Sequence, residues 1–147
     1  MSKNKKETTA ILNDVIIEPI YNIRKIELLN FNLKPRTSDA LQEVEFEVQV
    51  KQEVSIKDKI VISIITIIIK DQNTFEVAQL TVSCIFEVEN ITEIIIHKPS
   101  SAELGFRLNQ VTIATARGVM FGLFRGTVLG EIVLPIVDVK AFSDSTK

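Results

Sequence analysis

ATARGVMFGLFRGTVLGEIVLPIVDV, residues 114–139, is the stretch on which the reading of this chain turns. Four of the chain's five glycines fall in it, Gly118, Gly122, Gly126 and Gly130, each four residues after the last. An apolar run follows at residues 132–137, broken only by Pro135. Nothing here resembles a reaction centre. Small residues at this spacing let another backbone come close, although the pattern is best attested in membrane helices. The apolar run offers side chains for burial. Together they describe a surface that binds other polypeptides and does no chemistry.

Immediately upstream, Ser100-x-x-Glu103 with Pro99 ahead of it reads as a capping box, which predicts a helix over residues 101–125. Gly118 allows a break, and Gly126 is placed to end the helix as its C′ residue. On a helical wheel Leu104, Leu108, Val111 and Val119 share one side. Ile113, Ala116, Met120 and Phe124 share the opposite one. A helix apolar nearly all round is expected to be buried nearly all round.

Four strands precede it. Residues 23–34 carry Ile23, Leu29, Phe31 and Leu33 at odd positions, with Ile26 and Leu28 breaking the alternation, and end at Pro35 and a polar turn. The second strand is strictly periodic. Val44, Phe46, Val48, Val50 and Val54 lie on one face, with Glu43, Glu45, Glu47, Gln49, Lys51 and Glu53 on the other, which describes an antiparallel strand with one wet face. In IVISIITIIIK, residues 60–70, both faces are apolar, so each needs a cover. After a turn at Asp71-Gln72-Asn73-Thr74, the fourth strand places Ala78, Leu80, Val82, Cys84, Phe86 and Val88 inward. The fold class expected is therefore α+β. A four-stranded antiparallel β-meander leads into one long helix and a Pro-containing C-terminal segment. Residues 1–18 form a flexible tail and residues 19–147 a single domain. One sheet covers one side of such a helix, so the remaining apolar surface predicts self-association.

Bulk properties narrow the function. A chain of 147 residues is one domain, large enough for a real core. A net charge of −2 gives no electrostatic case for nucleic acid. One cysteine cannot form an internal disulfide, which fits a reducing compartment. No secretory signal is visible behind the N-terminal lysines, and the longest apolar run, residues 60–69, falls short of the about 20 residues that a membrane helix needs. A cytoplasmic protein without membrane insertion is expected. The lone His97 reads as a surface residue, and one Cys with one His cannot build a zinc shell. The glycines follow neither phosphate-cradling order. No metal, cofactor or enzymatic activity is expected.

The order of parts resembles a known family. Four antiparallel strands, a helix carrying Ala116-Arg117-Gly118, then Arg125-Gly126-Thr127, Leu134-Pro135, Val137-Asp138 and Ala141-Phe142 are similar to the SecB family of export chaperones. The first strand, residues 23–31 with Arg24, is similar as well, so the resemblance spans residues 23–142. It implies a tetramer built as a dimer of dimers, with helices buried between two layers of sheet. A dimer is the smaller alternative. It also implies binding of unfolded or preprotein polypeptides in apolar surface grooves, without ATP.

On that reading the client groove is formed by Phe121, Phe124, Ile132, Leu134 and Ile136, with Ile65 and Ile67 behind them. The oligomer interface involves Val111, Ala114, Gly118 and Gly122. Docking on the SecA motor is doubtful, because the turn at Lys70-Asp71-Gln72-Asn73 lacks the family's acidic segment and the chain stops soon after Phe142. Control of a toxin–antitoxin pair is the other role the resemblance admits. The rival readings are an adaptor with one dedicated folded partner and a small-molecule carrier.

Overall fold

The computed structural model describes residues 15–34, 44–127, 129 and 134–135. The strands are β1 (Tyr21–Leu33), β2 (Glu45–Ser55), β3 (Ile60–Lys70) and β4 (Glu76–Val88), followed by a short helix α1 (Ile91–Ile96) and the long helix α2 (Lys98–Phe124). All neighbouring strands pair antiparallel. The α+β class and the order of sheet before helix are as the periodicities predict.

The connectivity differs from a simple meander. The sheet order is β1-β4-β3-β2, so β2, β3 and β4 follow one another as hairpins while β1 lies beside β4. Both hairpin turns use a residue at positive φ, Lys59 at 55° and Thr74 at 65°. In the second turn the Asp71 carboxylate accepts the N–H groups of Asn73 and Phe75 at 2.8 and 3.1 Å. These short turns leave β2 at one edge and β4 open on its far side, and β1 fills that side.

β1 also shows why its sequence breaks alternation. Register shifts fall between Ile23 and Lys25 and between Leu28 and Asn30. Each bulge inserts one residue and so returns the next apolar side chain to the same face. Ile23, Ile26, Leu28, Phe31 and Leu33 stand opposite Phe86, Cys84, Val82, Leu80 and Ala78, all inward residues of β4. Ile26 and Leu28, out of step in the sequence, are thus in step in the sheet. Leu29 is the residue pushed out of it.

On the inward face of β3, Val61, Ser63, Ile65, Ile67 and Ile69 are buried, and Cys84 is fully buried on β4 as its parity requires. Helix α2 covers this face through Leu104, Leu108, Thr112, Ile113, Ala116, Met120 and Phe124. These residues correct the expectation of all-round burial. A stripe that repeats every four residues winds round the helix, since four residues overshoot one turn. Leu104 and Phe124 sit on opposite sides of a wheel, yet each meets the twisted sheet at its own end of the helix. Leu104 and Leu108 pack with Val61, Phe86, Val88, Ile91 and Ile94 in one cluster. Ile113, Ala116, Met120 and Phe124 pack with Ile65, Ile67, Leu80, Val82, Leu129 and Leu134 in another. Within a single chain the other side of α2 is open.

Polar ties fix the helix across the sheet. The Gln52 side-chain amide donates to the Gly105 carbonyl at 3.0 Å and to Asn109 Oδ1 at 2.7 Å, and the Ser63 hydroxyl donates to Asn109 at 3.1 Å. The helix is unbroken at Gly118, and Gly126 follows it at φ 80°, in the C′ position expected.

Its start is where the expectation fails. The N-cap is His97, whose ring accepts the Ser100 N–H, while Ser100 lies inside the first turn. Glu103 pairs with Arg107 one turn on instead of closing a capping box. The Ser100 hydroxyl instead accepts the N–H of Ile17 at 2.8 Å. Residues 1–14 of the expected tail lie outside the described residues. Residues 15–20 lead into β1, and there Glu18 forms an ion pair with Arg107 at 2.6 Å.

Candidate functional site

The sheet is wider than the helix that covers it. Helix α2 lies over β3 and β4, and the inward face of β1 extends beyond it. There Ile23, Ile26 and Leu28 are 44–49% exposed, although they share the face whose β4 residues are buried. Leu29, bulged outward, is also exposed. The two ends of β1 are covered, where Tyr21 meets Phe86 edge-to-face with ring centroids 6.1 Å apart and Phe31 stacks at a tilt on Phe124 at 5.9 Å.

The side of α2 that turns towards β1 is set by Arg107, which reaches Glu18, and by Val111, which packs with Tyr21 against the same cluster. Steps of three and four residues from Val111 lead to Ala114, Gly118 and Gly122, all exposed. A Cβ built at Gly118 or Gly122 meets nothing within 4 Å, so neither glycine is required by packing inside the chain. Phe121, 58% exposed, stands beside Gly122. An exposed apolar strand face and a small-residue helix face thus flank one open region.

The expected groove residues divide. Phe121 is on the surface. Phe124 and Leu134 are buried in the cluster at the end of the helix, and Ile65 and Ile67 are buried beneath it. Ile132 and Ile136 lie outside the described residues. Among the expected interface residues, Ala114, Gly118 and Gly122 are exposed and Val111 is half-buried. Ile23, Ile26 and Leu28 were absent from the expectation because their common face depends on two bulges that a period-two count hides.

The opposite face of the sheet carries half-buried Ile62, Ile64, Ile68 and Ile85 along β3 and β4, and the charged side chains beside them form pairs. Glu87 pairs with Arg24 at 3.1 Å, Glu27 with Lys25, Glu53 with Lys51 at 3.0 Å and Glu47 with Lys70 at 2.8 Å. The Lys70 ammonium beside Glu47, by hydrogen bond and charge, holds that carboxyl below its ordinary value, and Glu47 in turn raises Lys70. A face that reads as acidic in sequence is therefore largely neutralised. Asp71, the acid of the β3–β4 turn, is buried there.

The described residues contain no group of three or more His, Cys, Asp or Glu placed to hold a metal ion. Burial pushes the Cys84 thiol upward, so its thiolate is disfavoured. Every buried side-chain nitrogen and oxygen among the described residues has a hydrogen-bond partner. No described helix is long and apolar enough to cross a membrane.

Sequence comparison finds no matching protein-family model and no matching curated protein. Comparison of structures does find a counterpart. The Mycobacterium tuberculosis SecB-like chaperone Rv1957, in complex with a ChAD peptide from the Rv1956 HigA1 antitoxin, superposes with a TM-score of 0.54 at 16% identity. The match covers 80% of this chain and 91% of that one. The four-stranded antiparallel sheet followed by a long helix is a SecB-like fold.

Proposed function

We propose that this protein is an ATP-independent, SecB-like chaperone that holds unfolded polypeptide segments on its apolar surface. The observation that carries the reading is the exposed inward face of β1, Ile23, Ile26 and Leu28, beside the open side of α2. A soluble chain that leaves this much aliphatic surface in one place gains about 25 cal/mol for every Å² that a partner covers. Burial of that kind reads shape and hydrophobicity with little regard to sequence, as a holding chaperone requires. No nucleotide or metal enters it.

Two kinds of partner share the surface. Self-association uses the Val111, Ala114, Gly118 and Gly122 stripe, where glycine lets another backbone approach, and gives a dimer or a tetramer. The client uses Phe121 and the Pro135 segment with Ile132 and Ile136, for which Leu134, Phe124, Ile65 and Ile67 form the floor. The antitoxin peptide held by the structural counterpart favours a role in toxin–antitoxin control over preprotein export. The paired charges of the outer sheet face and the inward-turned Asp71 offer the SecA motor no acidic patch. A cytoplasmic setting fits such a role.

The test is refolding of an unrelated, slow-folding protein with and without a molar excess of this one, and with no nucleotide. Blocked refolding with low light scattering is the expected result. Unchanged refolding overturns the general holding activity and leaves the fold as a scaffold for one dedicated partner.

A further inference from the structure

Helix α2 has a shoulder on either side of its buried stripe. That stripe, Leu104, Leu108, Thr112, Ala116, Met120 and Phe124, steps by four residues. A row one residue further on therefore keeps to the same side of it from end to end. The row starts with Gly105 and Asn109, both tied to Gln52 of β2, so it lies on the β2 shoulder. Ile113, the next member, is buried. Beyond it come Arg117, half-buried, Phe121, 58% exposed, and Arg125, exposed. Arg125 is the helix C-cap, and its φ of −59° keeps its Cβ in line with the turns before it.

Charge sets these last three residues apart. Neither guanidinium has an ion-pair or hydrogen-bond partner, whereas Arg24, Lys25, Lys34, Lys51, Lys70 and Arg107 each pair with a glutamate. Among the described residues the other unpaired cations, Lys57, Lys59 and Lys98, lie at the opposite end of α2 and the sheet. The helix dipole favours a cation at the last residue, which accounts for Arg125 but not for Arg117, two turns back.

An exposed ring between two unpaired cations is costly to cover with a neutral partner. Whatever buries Phe121 also strips water from the guanidinium groups one turn to either side, and carboxylates offset that loss. The spacing suits an extended chain. Residues four apart on a helix are separated by about 6 Å along its axis. Alternate residues of a strand, which share a face, are separated by about 6.8 Å. An acid, an apolar residue and a second acid at alternate positions thus fall opposite Arg117, Phe121 and Arg125.

We propose that the row of Arg117, Phe121 and Arg125 selects client segments of the form acid-x-apolar-x-acid, held extended along α2, over neutral and basic ones. Such selection rests on the holding activity proposed above, in which apolar burial supplies the binding. The arginines decide which apolar segments are held.

The test is fluorescence anisotropy of three labelled peptides with the full chain. They share one apolar sequence, unstructured on its own, and differ only at a central Glu-Ala-Phe-Ala-Glu, Gln-Ala-Phe-Ala-Gln or Lys-Ala-Phe-Ala-Lys. The glutamine peptide is expected to bind, the glutamate peptide to bind roughly fivefold tighter, and the lysine peptide to bind more weakly than either. These differences shrink at about 1 M salt. In the double variant Arg117→Gln, Arg125→Gln all three peptides bind like the glutamine one. Equal affinity of the glutamate and glutamine peptides for the unmodified protein overturns the selection and leaves the holding activity standing. A glutamate preference that survives in the double variant overturns it too, by assigning the preference to another surface. A double variant that changes oligomer size on gel filtration and keeps its peptide affinities gives the row to a second copy of this chain, with the same consequence. Binding of none of the three peptides contradicts the holding activity itself, and the selection falls with it.

Discussion

β3 spends 11 residues and β1 spends 13 in the same sheet, and both point mostly aliphatic side chains inward. Ile65 and Ile67 on β3 keep 1% and 0% of their surface, while Ile23, Ile26 and Leu28 on β1 keep nearly half. The composition of the inward faces does not separate the two strands; their neighbours do. β3 has a strand on each side and a helix above it, whereas β1 has one strand beside it and its first two-thirds lie beyond the helix. The two bulges of β1 sharpen the contrast. They disturb ladder pairing to keep five apolar side chains on one face, although the chain itself covers only the last of them well. Such a register gives an external partner a continuous apolar face.

The contrast can be broken most forcefully by truncation on each strand. Ile67→Ala should cost about 2–5 kcal/mol in chemical denaturation, because a buried aliphatic side chain leaves a cavity that packed neighbours fill poorly. Leu28→Ala should cost less than about 1 kcal/mol in dilute protein, since half of its surface is already in water. A cost for Leu28→Ala that grows with protein concentration would locate β1 in a subunit contact. Equal costs in dilute protein would remove the distinction between the strands.

The helix carries a similar pair of sides. Gly118→Leu meets open space within the chain, so circular dichroism should show the fold intact. Association measured by light scattering after gel filtration should weaken by about tenfold or more, roughly 1.4 kcal/mol. Gly126→Ala acts on the chain alone. At φ 80° a side chain strains the left-handed backbone, and stability should fall by about 1–2 kcal/mol with no change in association.

The smallest effect is expected at Glu18. Its hydrogen bond and ion pair with Arg107 hold its carboxyl below the ordinary value. A depressed carboxyl stabilises the folded chain fully above the ordinary carboxylate range, and that contribution fades as pH falls through the lowered value. Glu18→Gln should therefore flatten part of the stability loss below about pH 4, by an amount that salt reduces because the pair is exposed. An unchanged acid limb at low salt would show that the ion pair contributes nothing.

Sequence and structure agree best where period and neighbours agree. The bounds of β3 were legible because polar residues flank its apolar run, and the parity of Cys84 because the alternation of β4 admits one register. Gly126 was legible because a helix end needs a residue tolerant of positive φ. β1 was harder. A bulge shifts parity without any residue that announces it, and neither Arg24 nor Leu29 is a glycine. The position of β1 beside β4 depends on which edge remains open, and alternation along a strand does not encode that. Ser100-x-x-Glu103 fits a capping pattern, yet His97 is the cap, and the Ser100 hydroxyl accepts from Ile17, 83 residues earlier in the chain. For the surface, Phe121 and the stripe from Ala114 to Gly122 were legible from helical spacing. Phe124, Ile65 and Ile67 were named on apolarity alone, which does not distinguish the floor of a groove from a core.

Two exposed phenylalanines allow the most direct test. Phe121 stands on the open side of α2, and Phe75, 69% exposed, projects from the turn between β3 and β4. A photo-reactive phenylalanine analogue at each position in turn, irradiated with a urea-unfolded client diluted into the protein, reports which surface the client touches. The account predicts strong cross-linking from position 121 and little from position 75. Cross-linking as strong from position 75, or none from position 121, would contradict it.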